Sequence, residues 1–87
     1  MKVLEIYLRN KTKKFLKKVD KSTFERVFNK IKELASDPYP SDAKRVIGRK
    51  EKVFRVRIGD YRILYVVYLD KNSILIVNID KRSKIYE

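Results

Sequence analysis

Val53-Phe-Arg-Val-Arg-Ile-Gly-Asp-Tyr-Arg-Ile-Leu-Tyr-Val-Val-Tyr-Leu69 reads as two β-strands joined by a tight turn. Val, Ile, Tyr and Phe dominate the stretch and suit a pleated, half-buried surface. Gly59-Asp60 interrupts it, and a Gly-Asp pair between two apolar runs is a hairpin signal. A two-residue loop there pairs Ile58 with Tyr61, Arg57 with Arg62, Val56 with Ile63 and Arg55 with Leu64. Side chains alternate between faces along a strand, so Arg55, Arg57 and Arg62 share one face. Phe54, Val56 and Ile58 share the other with Tyr61, Ile63 and Tyr65. Like charges directly opposite one another weaken a sheet by roughly 0.2–1 kcal/mol. A hairpin that sets Arg57 against Arg62 therefore points to an anion on that face. An ordinary solvated face on a basic protein is the plainer alternative.

The chain around this hairpin is short and basic. Its 87 residues are expected to form one small domain, of a size that buries roughly 60–65% of its unfolded surface. A hydrophobic content of 44% is enough for a folded core. No apolar run approaches the ~20 residues of a membrane span, and the N-terminal run is too short for a secretory signal. The chain has no cysteine, hence no disulfide framework, and no histidine, which leaves no usual zinc site. No cofactor or metal is expected, and a cytoplasmic location is. Twenty-three Lys and Arg against eleven Asp and Glu give a net charge of +12. Such lopsided charge favours nucleic acid, an acidic protein or an anionic membrane surface.

Outward from the hairpin the other elements follow. Val3 to Leu8 is a short strand candidate. Asn10 to Lys18 reads as a short helix with Phe15 and Leu16 as its apolar contacts. Ser22-Thr23-Phe24-Glu25 fits a capping box opening a second helix. Phe24, Val27, Phe28, Ile31, Leu34 and Ala35 fall on one face of that helix and are expected to pack on a sheet. Asp37-Pro38 ends it. Residues 36–52 read as a loop, with Pro38, Pro40 and Gly48 as breakers. Ile74 to Ile79, apolar on both faces, reads as a strand interior to the sheet. The expected fold is α+β in the order β-α-α-β-β-β: a small, mostly antiparallel twisted sheet with the two N-terminal helices on one face.

A basic face of this kind could assist cleavage of RNA by its own 2′-hydroxyl. That reaction needs a base, an acid for the leaving oxygen, and positive charge on the phosphorane. Arginine suits the last task, because its planar fork matches phosphate oxygens. It is a poor proton donor at neutral pH, with a pKa above ~12. Without histidine, the candidates for proton transfer are Tyr86, Lys81, Lys52 and Glu51.

The run Phe54-Arg-Val-Arg-Ile-Gly-Asp-Tyr-Arg-Ile-Leu-Tyr65, the pair Lys81-Arg82 and the ending Ile85-Tyr86 resemble the RelE/ParE superfamily of toxin–antitoxin toxins. The resemblance covers nearly the whole chain, so residues 1–87 are expected to be a single RelE-like toxin domain. RelE-type members cut mRNA in the ribosomal A site, whereas ParE-type members poison DNA gyrase. The resemblance implies phosphate-binding roles for Arg55 and Arg57, with Lys52 and Lys81 as further basic contacts. It assigns Arg62, Arg82 and Tyr86 to catalysis: Tyr86 as base, Arg82 in leaving-group protonation, Arg62 in holding the phosphate. The Arg82-to-Tyr86 spacing is shorter than in some members, and no histidine stands near the last strand. Hairpin alternation carried onward would put Lys81, not Arg82, on the Arg62 face, and that choice stays open. The arginines at all three hairpin positions, together with Tyr86, favour the RelE branch.

The implied function is a ribosome-dependent mRNA endonuclease, or mRNA interferase, that inhibits translation. The implied partners are an acidic RelB-like antitoxin and mRNA in the ribosomal A site, with no membrane. A monomeric free toxin and a higher-order toxin–antitoxin complex are expected. A gyrase-directed toxin of the same fold and a non-catalytic RNA- or ribosome-binding domain are the alternatives.

Overall fold

The computed structural model describes residues 3–81. Gly59 has φ of +58° and opens the two-residue turn, which is the backbone that a hairpin with glycine at its first central position adopts. Around it β3 (Val53–Ile58) and β4 (Tyr61–Tyr68) pair antiparallel in the expected register, with Ile58 opposite Tyr61 and Arg57 opposite Arg62. A 3₁₀ turn at Leu69–Lys71 and left-handed Asn72 reverse the chain into β5 (Ser73–Lys81), which runs antiparallel to β4. β1 (Glu5–Leu8) lies parallel to β5 on its far side.

A strand outside the expected order completes the sheet. β2 (Lys44–Arg45), two residues within the expected loop, pairs antiparallel with β3. The spatial order is β1-β5-β4-β3-β2. Two residues carry too little periodicity to be read as a strand.

α1 (Asn10–Lys18) and α2 (Lys21–Ser36) cover one face of the sheet. From α2, Val27, Ile31, Leu34 and Ala35 are buried against Val56, Ile63, Tyr65, Ile74, Ile76 and Ile79. Full burial of an aliphatic side chain contributes about 1.5–3 kcal/mol, so this stripe ties helix to sheet. Two expectations for α2 are corrected. Its cap is Asp20, whose carboxylate accepts from the Thr23 amide and hydroxyl, so the helix begins one residue before the serine of the proposed Ser22 box. Phe24 and Phe28 lie on the flank of the stripe: they stack on each other at 5.5 Å, Phe24 is exposed, and Lys32 lies over the Phe28 ring.

The β4–β5 register contains the feature that positions the site. Tyr65 pairs with Ile76 but Leu64 pairs with Asn78, so β5 carries one extra residue at Val77. This bulge lets Ile74, Ile76 and Ile79 all reach the core, which strict alternation forbids. The Ile76 carbonyl beside it accepts from the Arg9 amide at 3.2 Å and from the buried Thr12 hydroxyl at 3.1 Å. The start of α1 is thereby fastened to the bulge. Among the described residues no helix is long and apolar enough to cross a membrane.

Candidate functional site: the open face of the sheet

The face turned away from the helices holds two regions. In the first, Arg55 and Arg57 of β3 stand beside Leu64 and Arg62 of β4. Lys44 of β2 is the register partner of Arg55, which extends the basic row to the sheet edge. Arg57 is exposed, Arg55 half-buried and Arg62 buried. A hollow of about 240 Å³ opens at this edge, bounded by Asp42, Lys44, Arg55 and Arg57. Asp42 is also paired with Lys30 at 3.2 Å, which offsets its charge.

β5 contributes a carboxylate to this region. In the β4–β5 register Arg62 lies opposite Asp80, and Tyr61 opposite Lys81. Directly opposed residues share a face, so Asp80 lies on the arginine side and Lys81 on the helix side of the sheet. The expectation that Lys81 joins Arg62 is corrected, and the extra residue at Val77 is the reason. It inverts the alternation of β5 between Ile76 and Asn78. The Asp80 carboxylate accepts from the Lys81 amide at 2.8 Å. Lys52 is exposed, immediately before β3. Arg82 and Tyr86 lie outside the described residues.

The second region was not legible in the sequence. Val46 folds over the open face and is buried with Val53, Leu64 and Val66 in a small core of its own. Its amide donates to the Val53 carbonyl at 2.8 Å, and the Val53 amide donates to the Glu51 carbonyl at 2.9 Å. At the far end of this loop the Tyr68 hydroxyl donates to the Glu51 carboxylate at 3.0 Å. Burial first, and then that bond, hold the Tyr68 phenol above its usual pKa, while nearby Arg9 pulls the other way. The clamped loop and the end of β1 bound a groove of about 470 Å³, with Arg9, Arg49 and Lys50 on its walls.

The five described tyrosines are placed away from the arginine cluster. Tyr7 donates to Glu5 and Tyr68 to Glu51. Tyr65 donates to the Pro38 carbonyl at 2.7 Å, and its burial drives its pKa far up. Tyr61 packs edge-on against Phe15, and Tyr39 against Phe54. The Tyr65 and Tyr68 hydroxyls thus both donate to protein acceptors, the Pro38 carbonyl and the Glu51 carboxylate.

Comparison with known proteins accords with this architecture. The family model for the ParE toxin of the parDE type II toxin–antitoxin system matches residues 6–86. A Methanocaldococcus jannaschii protein provisionally named toxin RelE1 is 38% identical over 77 residues, covering 85% of this chain and 84% of its own. Among solved structures, the archaeal RelE–RelB complex from Pyrococcus horikoshii contains a chain with a TM-score of 0.81 at 23% identity, covering 97% of this chain and 100% of that one. The RelBE2 toxin–antitoxin complex from Mycobacterium tuberculosis gives 0.82 at 20% identity, covering 97% of each chain. The isolated Escherichia coli RelE toxin gives 0.76 at 16% identity, covering 90% of this chain and 83% of that one. The three structures share the fold, and the family match and the sequence relative establish kinship. The chain belongs to the RelE/ParE superfamily of type II toxin–antitoxin toxins and is RelE-like.

Proposed function

We propose that this toxin is a ribosome-dependent mRNA endonuclease that inhibits translation. The observation that carries the reading is the arginine cluster: two exposed or half-buried arginines on β3 around a third, Arg62, held in the sheet surface. Such a cluster presents forked donors to a phosphate whose negative charge grows in the phosphorane. In the proposed reaction the 2′-oxygen bonds to the adjacent phosphorus and the bond to the 5′-oxygen breaks. A 2′,3′-cyclic phosphate and a 5′-hydroxyl result. Tyr86, as its phenolate, takes the 2′-hydroxyl proton, Arg82 gives a proton to the leaving 5′-oxygen, and Arg55, Arg57 and Arg62 hold the phosphate. Lys52 adds charge at the approach.

Arginine is a poor proton donor at neutral pH and the chain has no histidine, so the toxin alone is a weak ribonuclease. The ribosome supplies rate by orienting the message for in-line attack. A cognate acidic antitoxin of the RelB kind neutralises the toxin by charge complementarity, as the RelE–RelB and RelBE complexes of the structural relatives suggest. The test is induced expression followed by mapping of mRNA 5′ ends with and without translation. New ends within translated frames support the reading, and equally fast cutting of naked RNA by the purified toxin overturns ribosome dependence. The ParE name of the matching family model favours a second reading, a gyrase-directed toxin. That reading expects no new mRNA ends and a loss of DNA supercoiling by purified gyrase.

A further inference from the structure

The loop over residues 46–52 is held down at both ends although it carries cations toward another cation. At one end Val46 is buried on the open face; at the other, Glu51 is bonded to Tyr68. Between them Arg49 and Lys50 line the groove opposite Arg9, whose own backbone is fixed by its bond to Ile76. Among the described residues three cations line the groove and repel each other, and the one carboxylate there, Glu51, is committed to the Tyr68 hydroxyl. An arrangement that spends apolar burial and a hydrogen bond to gather like charges is suited to an anion. The groove shares the open face with the arginine cluster: Val53, on its lining, lies in β3 two residues before Arg55. One strand of RNA crossing this face meets both.

We propose that Arg9, Arg49 and Lys50 form a second phosphate subsite, which grips the backbone of RNA at a phosphate other than the scissile one. Tyr68 and Glu51 act as positioning residues that hold the loop in place. The proposal rests on the RNA-cleaving reading above. The phosphate comes either from the message strand or from ribosomal RNA, two sources with the same chemistry.

The test uses the full-length toxin and two probes: a fluorescent, uncleavable 2′-O-methyl RNA 12-mer, and vacant ribosomes in a sedimentation assay. The variants are R9A, the double variant R49A/K50A, Y68F, and a charge-matched control, K17A/K18A, on the exposed end of α1. We expect R9A and R49A/K50A each to weaken binding about tenfold at moderate salt. The slope of log affinity against log salt should fall by roughly 0.7 for each phosphate of a single strand that is no longer neutralised. Y68F, which changes no charge, should weaken binding several-fold with melting unchanged to within a few degrees, and K17A/K18A should bind as wild type. Weaker binding to the 12-mer identifies the message strand as the source; weaker binding to ribosomes alone identifies ribosomal RNA. Wild-type binding by R49A/K50A, or equal weakening in the control, overturns the subsite while mRNA cleavage by the wild type leaves the endonuclease reading standing. A wild type that binds neither probe and makes no new mRNA ends overturns both.

Discussion

Arg57 and Arg62 face each other across the hairpin, yet Arg57 is exposed while Arg62 keeps 6% of its surface and has Asp80 as its other cross-strand neighbour. Two arginines that look equivalent in the sequence thus occupy different environments. Arg57→Ala should change stability by no more than ~0.5 kcal/mol, as exposed substitutions usually do. Arg62→Ala should lower the melting temperature, because it empties a packed position in the sheet. Both should slow single-turnover cleavage on programmed ribosomes by about 10²–10³, the effect typical of removing one oxyanion donor. Unimpaired cleavage by both variants would remove the arginine cluster from the mechanism.

For Tyr86→Phe the ring is kept and the hydroxyl removed. Cleavage should fall by roughly 10²–10⁴, the range of a general base, while RNA binding stays within twofold. Arg82→Ala should likewise slow cleavage. Full toxicity of Tyr86→Phe in growing cells would show that its phenol transfers no proton.

Thr12 is buried and its hydroxyl bonds the carbonyl beside the β5 bulge. Thr12→Val keeps the shape and leaves that acceptor with one partner fewer. A destabilisation of about 1–2 kcal/mol is expected in urea unfolding. Amide exchange should speed up around residues 76–78 before other parts of the sheet, since this bond fastens α1 to the bulge.

Tyr65→Phe should cost about 1 kcal/mol by leaving the Pro38 carbonyl without its donor. For a domain of this size that is a fall of about 4–8 °C in melting temperature. Thermal melting reads it directly, and an unchanged Tm would mean that the loop after α2 is held by apolar contacts alone.

The α2 cap gives a pH dependence of known sign. Its bonds to Thr23 hold the Asp20 carboxyl below its ordinary 3.8, the side-chain hydroxyl contributing most. A carboxylate depressed in the folded state stabilises above the ordinary value and loses that contribution as pH falls through the folded one. Asp20→Ala should therefore melt below wild type at pH 6, with the gap closing as the pH falls below 3.8. A gap that is independent of pH would mean that the charged carboxylate is not what caps the helix.

Much of the architecture was legible from local pattern. Alternation in residues 53–69 and the Gly59-Asp60 turn set the hairpin register residue by residue, and with it the common face of Arg55, Arg57 and Arg62. Helical spacing placed α1 and the buried stripe of α2. The cap is a local feature too, and a plausible Ser22 box concealed the Asp20-to-Thr23 spacing that forms it.

What the tertiary structure alone decided concerns partners distant in sequence. The open-face core that clamps residues 46–52, and so the groove with Arg9, needs Val46 and Glu51 to meet residues of β4. That Lys81, expected beside Arg62 from alternation, gives way there to Asp80 turns on one extra residue in β5. Strand alternation predicts a face only while every residue is paired. Here the burial of Ile79 alongside Ile74 and Ile76 outweighs regular pairing, and the resulting bulge exchanges the two faces for every residue of β5 that follows.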